Sequence, residues 1–175
     1  MKNNLKDSGF SEALLLWWKA IIYDELGNTR KAVDTMEQVV KMARKTDKEH
    51  LVSMMENLAQ FRYDLKEYDA SDAVYREVMK IDESTLLPRI GLARNLIARE
   101  RYDEALSALE ECRKYDRDYA EIYRFQMKAY EGKKEYKKMI DAMMTLFEKT
   151  DDTDYIDTDV LLKDVSYSVA LLKEK

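Results

Sequence analysis

Three tyrosines constrain this chain more than anything else in it. Tyr68, Tyr102 and Tyr136 are spaced by 102−68 = 34 and 136−102 = 34 residues. Their surroundings recur in the same register. Ser71, Ala105 and Met139 stand three places after each Tyr, and Tyr75, Leu109 and Met143 seven after it. Val78, Cys112 and Leu146 stand ten after it, and Ala59, Ala93 and Met127 nine before it. A fixed period of about 20–50 residues marks units that cannot bury their apolar faces alone and must stack on their neighbours. The expected fold is therefore a solenoid, which offers a surface for binding.

The local signals are helical throughout. Only 4 Gly and 1 Pro occur in 175 residues, which argues against long loops and many-turned β folds. A helix over about 11–26 starts at Ser11 as N-cap and stops at Gly27-Asn28. A second, about 29–45, places Ala32, Val33, Met36, Val39, Val40 and Ala43 at steps of three and four. Thr46 with Glu49 reads as a capping box for a third helix, about 48–65. A fourth runs from about Asp69 to Ile81. Ser84 or Thr85 is the expected cap of the fifth, with Pro88 in its first turn. Helices over about 102–114, 119–131 and 135–149 follow, Asp118 and Glu121 forming another capping pair. Thr150 to Asp159 is a polar linker, and a ninth helix over about 158–173 carries Val160, Leu161, Val165, Val169 and Leu172.

These residues resemble tetratricopeptide repeats. The family pattern places a large residue, Leu, a small residue and Tyr on a first helix, then Gly, aromatic and Ala positions around the turn and second helix. Repeat one is similar at Leu16, Ala20, Tyr23, Gly27, Ala32, Met36 and Val39, and repeat two at Met55, Leu58, Ala59, Tyr68, Ser71, Tyr75 and Val78. Repeat three is similar at Leu92, Ala93, Leu96, Tyr102, Ala105, Leu109 and Cys112. Repeat four is similar at Tyr123, Met127, Tyr130, Tyr136, Met139, Met143 and Leu146, with Met at positions the pattern keeps small. Thr29 occupies the Tyr68 position of repeat one, and 68−29 = 39, so about five residues are inserted near 43–50. They lengthen the second or third helix, or open the turn between them. The resemblance implies an all-α fold: a right-handed α-solenoid of antiparallel helix-turn-helix repeats, with the last helix as a C-terminal cap or the first half of a fifth repeat. It implies one domain over 1–175, with repeats at about 11–45, 48–83, 85–117 and 119–150 and a capping helix at 158–173.

In this family the first helix of each repeat lines a concave groove that receives a peptide or partner helix. Carried over, the groove positions are Trp17, Trp18 and Ile21, then Asn57, Gln60 and Tyr63, then Ile90, Arg94 and Ile97, then Arg124 and Lys128. Arg94, Arg124 and Lys128 form a basic set suited to a carboxylate on the partner. The alternative is a solvated surface paired with Glu121 and Glu131. Trp17 and Trp18 are aromatic anchor candidates, but adjacent helix residues point about 100° apart, so one at most faces the groove squarely. The alternative is that one packs in the core and residues 1–10 cover the other. Family members that clamp the carboxyl terminus of chaperone tails use Lys and Asn where this chain has Trp17 and Ile21, so that activity is not expected. The implied function is non-catalytic protein binding; a self-associating or spacer domain of a larger protein is the alternative, and a homo-oligomer fits it.

Catalysis has no support in the residues. His50 is the only His and reads as an exposed helix residue, and Cys112 reads as a buried hydrophobe. No glycine-rich phosphate loop occurs, and the acidic run from Asp151 to Asp159 lacks the Gly and Glu of a calcium loop. No cofactor or metal is expected. A net charge of −5 argues against a nucleic-acid partner. No 18-residue apolar run that would span a membrane occurs, and Ala13 to Trp18 is too short for a signal peptide. A cytoplasmic site is favoured on that ground. The first repeat opens almost at once, which fits a piece of a longer protein or a mature extracytoplasmic form.

Overall fold

The computed structural model describes residues 12–149. These form eight helices and, among the described residues, no strand: α1 (Glu12–Glu25), α2 (Thr29–Thr46), α3 (Leu51–Asp64), α4 (Tyr68–Ile81), α5 (Leu87–Ala98), α6 (Tyr102–Cys112), α7 (Ala120–Gly132) and α8 (Tyr136–Lys149). Ser11, the linker and the expected helix over 158–173 lie outside the described residues.

The inserted residues go into α2. It has 18 residues, against 14 in its counterpart α4. Thr46 therefore does not cap α3. It is the last residue of α2, and its hydroxyl donates to the Met42 carbonyl at 3.1 Å. Asp47 takes over the turn, its Oδ1 accepting from the His50 amide at 3.2 Å. Ser84 is likewise no cap, because its amide and hydroxyl both donate to Asp82 Oδ1, at 2.9 and 2.6 Å. The residue before α7 is Tyr119, with no side-chain cap, and Asp118 is bound by Lys149 of α8.

The four hairpins close on one recurring turn. Gly27, Lys66, Glu100 and Lys134 all have left-handed backbone, with φ of 73°, 61°, 60° and 59°. Each is followed by an amide reaching back to the last helical turn: Asn28 to the Tyr23 carbonyl at 2.8 Å, and Glu67 to Arg62, Arg101 to Leu96 and Glu135 to Tyr130 at 2.9 Å. Each left-handed residue itself donates three places back, Gly27 to Asp24 at 2.7 Å for example. This paired pattern is the Schellman motif, which satisfies the helix-end carbonyls without any side chain.

The chain parts into two compact units between Gly91 and Leu92. In the first, Ala13 and Ala20 of α1, Val33 and Met36 of α2, Met54, Met55 and Leu58 of α3 and Val78 of α4 share one core. Each large member contributes about 1.5–3 kcal/mol by leaving water. Ser71 is fully buried and donates to the Ala59 carbonyl at 2.8 Å, so the small position of α4 is also a bonded one. Glu67 accepts from Arg30 at 2.6 Å and from Arg62 at 3.2 Å, and Arg62 also binds Glu37, tying α2 and α3 to the turn before α4. Gly91 is where the Tyr75 ring seats: a Cβ there would lie 2.3 Å from Tyr75 Cζ. In the second unit Tyr123 and Met127 of α7 pack with Met139, Ala142, Met143 and Leu146 of α8.

Candidate functional site

In the first unit, α1 and α3 bring Trp17 and Asn57 together. The indole Nε1–H donates to Asn57 Oδ1 at 2.6 Å, and the half-buried ring packs against the core. This bond fixes which way the Asn57 amide points. The Trp17 ring lies 6.2 Å from His50 and 6.4 Å from Trp18. Trp18 turns outward, at 60% exposed, as the 100° step requires. It heads a row four residues apart with Ile22 at 56% and Leu26 at 70% exposed. Ile21 packs partly against the core.

His50 is not the isolated helix residue expected. It precedes α3, and its Nδ1 lies 2.8 Å from Asp47 Oδ1. That bond raises the imidazole pKa above its ordinary value, with the Asp47 and Glu49 charges adding to it. Glu56, on the same helix as Asn57, has one carboxylate oxygen buried without a donor among the described residues. Its burial raises its pKa. Gln60 donates to both oxygens of Asp64 at 3.0 Å, and Tyr63 packs its ring 5.6 Å from Tyr68.

Along α5, Ile90 is only 5% exposed and so packs rather than facing solvent, while Arg94 and Ile97 are half-buried. In the second unit, α7 carries Arg124 and Lys128 one turn apart. Arg124 Nη1 lies 3.4 Å from Glu121 Oε1, the pairing weighed from the sequence. Lys128 is exposed, its Nζ 5.5 Å from the Phe125 ring centre. Cys112 is fully buried on α6, as its register predicts.

Two features escaped the sequence reading. Asp47 sits in the turn just after α2, where no repeat position gives it meaning. Gln126 is a polar residue on the apolar row of Tyr123, Met127 and Tyr130, and it is 9% exposed. That misfit of type and register was visible in the sequence. No three His, Cys, Asp or Glu side chains are grouped to hold a metal among the described residues, and no helix there is long and apolar enough to cross a membrane.

Residues 13–46 and 52–85 match the tetratricopeptide-repeat family model. The first two hairpins are tetratricopeptide repeats. The two matched segments are separated by residues 47–51, five positions that belong to neither. No curated protein matches the sequence significantly. Among solved structures, the tetratricopeptide-repeat protein TTC0263 of Thermus thermophilus superposes with a TM-score of 0.68 at 14% identity, over 93% of this chain and 89% of its own. MamA from Desulfovibrio magneticus RS-1, residue 41 to its end, superposes with a TM-score of 0.64 at 17% identity, over 94% of this chain and 93% of its own. At such identity the likeness establishes the tetratricopeptide solenoid fold for the chain.

Proposed function

We propose that the chain is a non-catalytic protein-interaction module that receives a peptide or partner helix on the first helices of its repeats. Tetratricopeptide repeats are an interaction fold, which supports the general reading. The observation that carries the finer one is the pair Trp17 and Trp18. Trp17 is held in place by Asn57, and beside it stands an indole 60% exposed to water. A rigidly backed aromatic surface of this kind is a common binding anchor. On α7, Arg124 and Lys128 offer a carboxylate a fork and a point charge, with Arg94 of α5 as a third cation.

The test is selection of displayed random peptides on the full chain, repeated with Trp18→Ala and with Arg94, Arg124 and Lys128 all changed to Ala. Apolar peptides lost with Trp18→Ala support the anchor, and acidic peptides lost with the triple variant support the basic set. Peptides retained by both variants refute both surfaces. The row Trp18, Ile22 and Leu26 also favours a second reading, self-association. A mass by light scattering that rises with concentration, and ceases to do so in Trp18→Ala, selects it.

A further inference from the structure

The exposed row of α1 occupies repeat positions that later first helices keep covered. Thr29 matches Tyr68, so Trp18, Ile22 and Leu26 match Asn57, Phe61 and Leu65 on α3 and its C-terminal turn. There the preceding hairpin covers them. Asn57 holds the Trp17 indole of α1, Phe61 is 5% exposed in the core it shares with α2, and Leu65 packs partly on that core. In the second unit the same register falls on Phe125, Ala129 and Lys133. Ala129 is fully buried, and Lys133 binds Asp103 of α6. No hairpin precedes α1 among the described residues, and its row stands in water. It is a helix-packing face without its helix.

Charge selects the helix that fits. With Ile22 facing the viewer, Trp18 and Leu26 lie about 40° to either side, one turn below and one above. Lys19 and Glu25 lie about 60° to either side, Lys19 on the flank of Leu26 and Glu25 on that of Trp18. The row is therefore a diagonal with one basic and one acidic edge. Both flanking residues are exposed, and neither has an ion pair among the described residues. A second copy lays its own row on this one in two symmetric ways. With the two-fold axis across the row, Lys19 meets Lys19 and Glu25 meets Glu25. With the axis along the row, Lys19 of each copy meets Glu25 of the other, and Trp18, Ile22 and Leu26 each meet their own counterpart. Like charges face to face oppose association and opposite charges fix its register.

We propose that a second copy of this chain covers the row, the two α1 helices running in the same sense about an axis along Trp18, Ile22 and Leu26, with a Lys19–Glu25 ion pair on each side. An i, i+4 row is inclined about 26° to its helix, so the helices cross at about 50°. This rests on the self-association reading and names its partner and register. One helix face is small beside the roughly 800 Å² per partner of a stable complex, so the dimer is weak and reversible.

The test is sedimentation velocity of the full chain over a concentration series, beside Lys19→Glu, Glu25→Lys and the two together. Each single change is expected to weaken the dimer at least tenfold, and the double variant to restore it. Both positions are exposed, so circular dichroism should show an unchanged fold. Leu26→Cys should cross-link to itself on oxidation, since Cys112 is fully buried and does not compete. The opposite arrangement leaves the dimer unchanged in both single variants, and couples Leu26→Cys to Trp18→Cys rather than to itself. That result overturns the proposal but leaves self-association standing if Trp18→Ala still abolishes the dimer. A dimer that survives Trp18→Ala, or a monomer at every concentration, overturns both.

Discussion

Gly91→Ala sets two opposed effects against each other at one atom. Gly91 is buried inside α5, where alanine is worth about 1 kcal/mol over glycine by helix propensity alone. The added Cβ, however, would stand 2.3 Å from Tyr75 Cζ, 2.4 Å from Cε2 and 2.8 Å from Oη. Ordinary carbon contacts begin near 3.5 Å, so the ring must retreat by about 1 Å. Tyr75 is 5% exposed and wedged in the hairpin, so it has little free space to move into. Overpacking of this kind costs about 1–3 kcal/mol. The net expectation is a loss of up to about 2 kcal/mol, or up to roughly 6 °C in Tm for a chain of this length. Urea unfolding followed by far-ultraviolet circular dichroism measures it. The decisive comparison is the same substitution in a Tyr75→Val background. There the clash is gone, and Gly91→Ala should stabilise by up to about 1 kcal/mol. If Gly91→Ala stabilises equally in both backgrounds, no ring seats on the glycine and the packing argument fails.

Three further outcomes are expected. Asp47→Asn should bring the His50 pKa back down towards its ordinary value by NMR titration, since the Asp47 hydrogen bond is the main cause of its rise. Because the folded pKa is the higher one, the stability this pair contributes is complete below the unfolded value of about 6.5 and disappears as pH rises through the folded value. Asn57→Ala removes the acceptor of the Trp17 indole and should cost about 1–2 kcal/mol, with a measurable change in tryptophan fluorescence; unchanged stability and emission would count against the bond. Lys66→Gly, Glu100→Gly and Lys134→Gly should each stabilise by a few tenths to about 1 kcal/mol, because relief of left-handed strain exceeds glycine's added chain entropy. A destabilised Lys66→Gly would show that its turn carries no such strain.

The 34-residue register made the helices and most of the core legible in the sequence, because core positions in a repeat array are set by phase. Met36, Leu109 and Leu146 fall where that phase puts them. The caps were not legible. Serine and threonine near a helix start compete among several carbonyls and amides, and here Thr46 bonds backward into α2 while Asp47 and Asp82 take the turns. The Schellman turns were visible only at Gly27, since Lys66, Glu100 and Lys134 do not advertise a left-handed backbone. The carried-over groove positions carry no record of how far each side chain is covered. Ile90 packs away, whereas Trp18 stands out in water.

The methionines of α7 and α8 have one more consequence, in redox chemistry. Met127, Met139 and Met143 are 7%, 5% and 8% exposed and fill the interior of the second unit, whereas Met144 is 52% exposed on the same helix as two of them. Peroxide reaches Met144 first, and a sulfoxide there sits in water at little expense to the fold. The other three thioethers are reached only when the helices part. Once oxidised, each becomes a polar group too large and too wet to return, so a transient opening is converted into a lasting one until a reductase restores the sulfur.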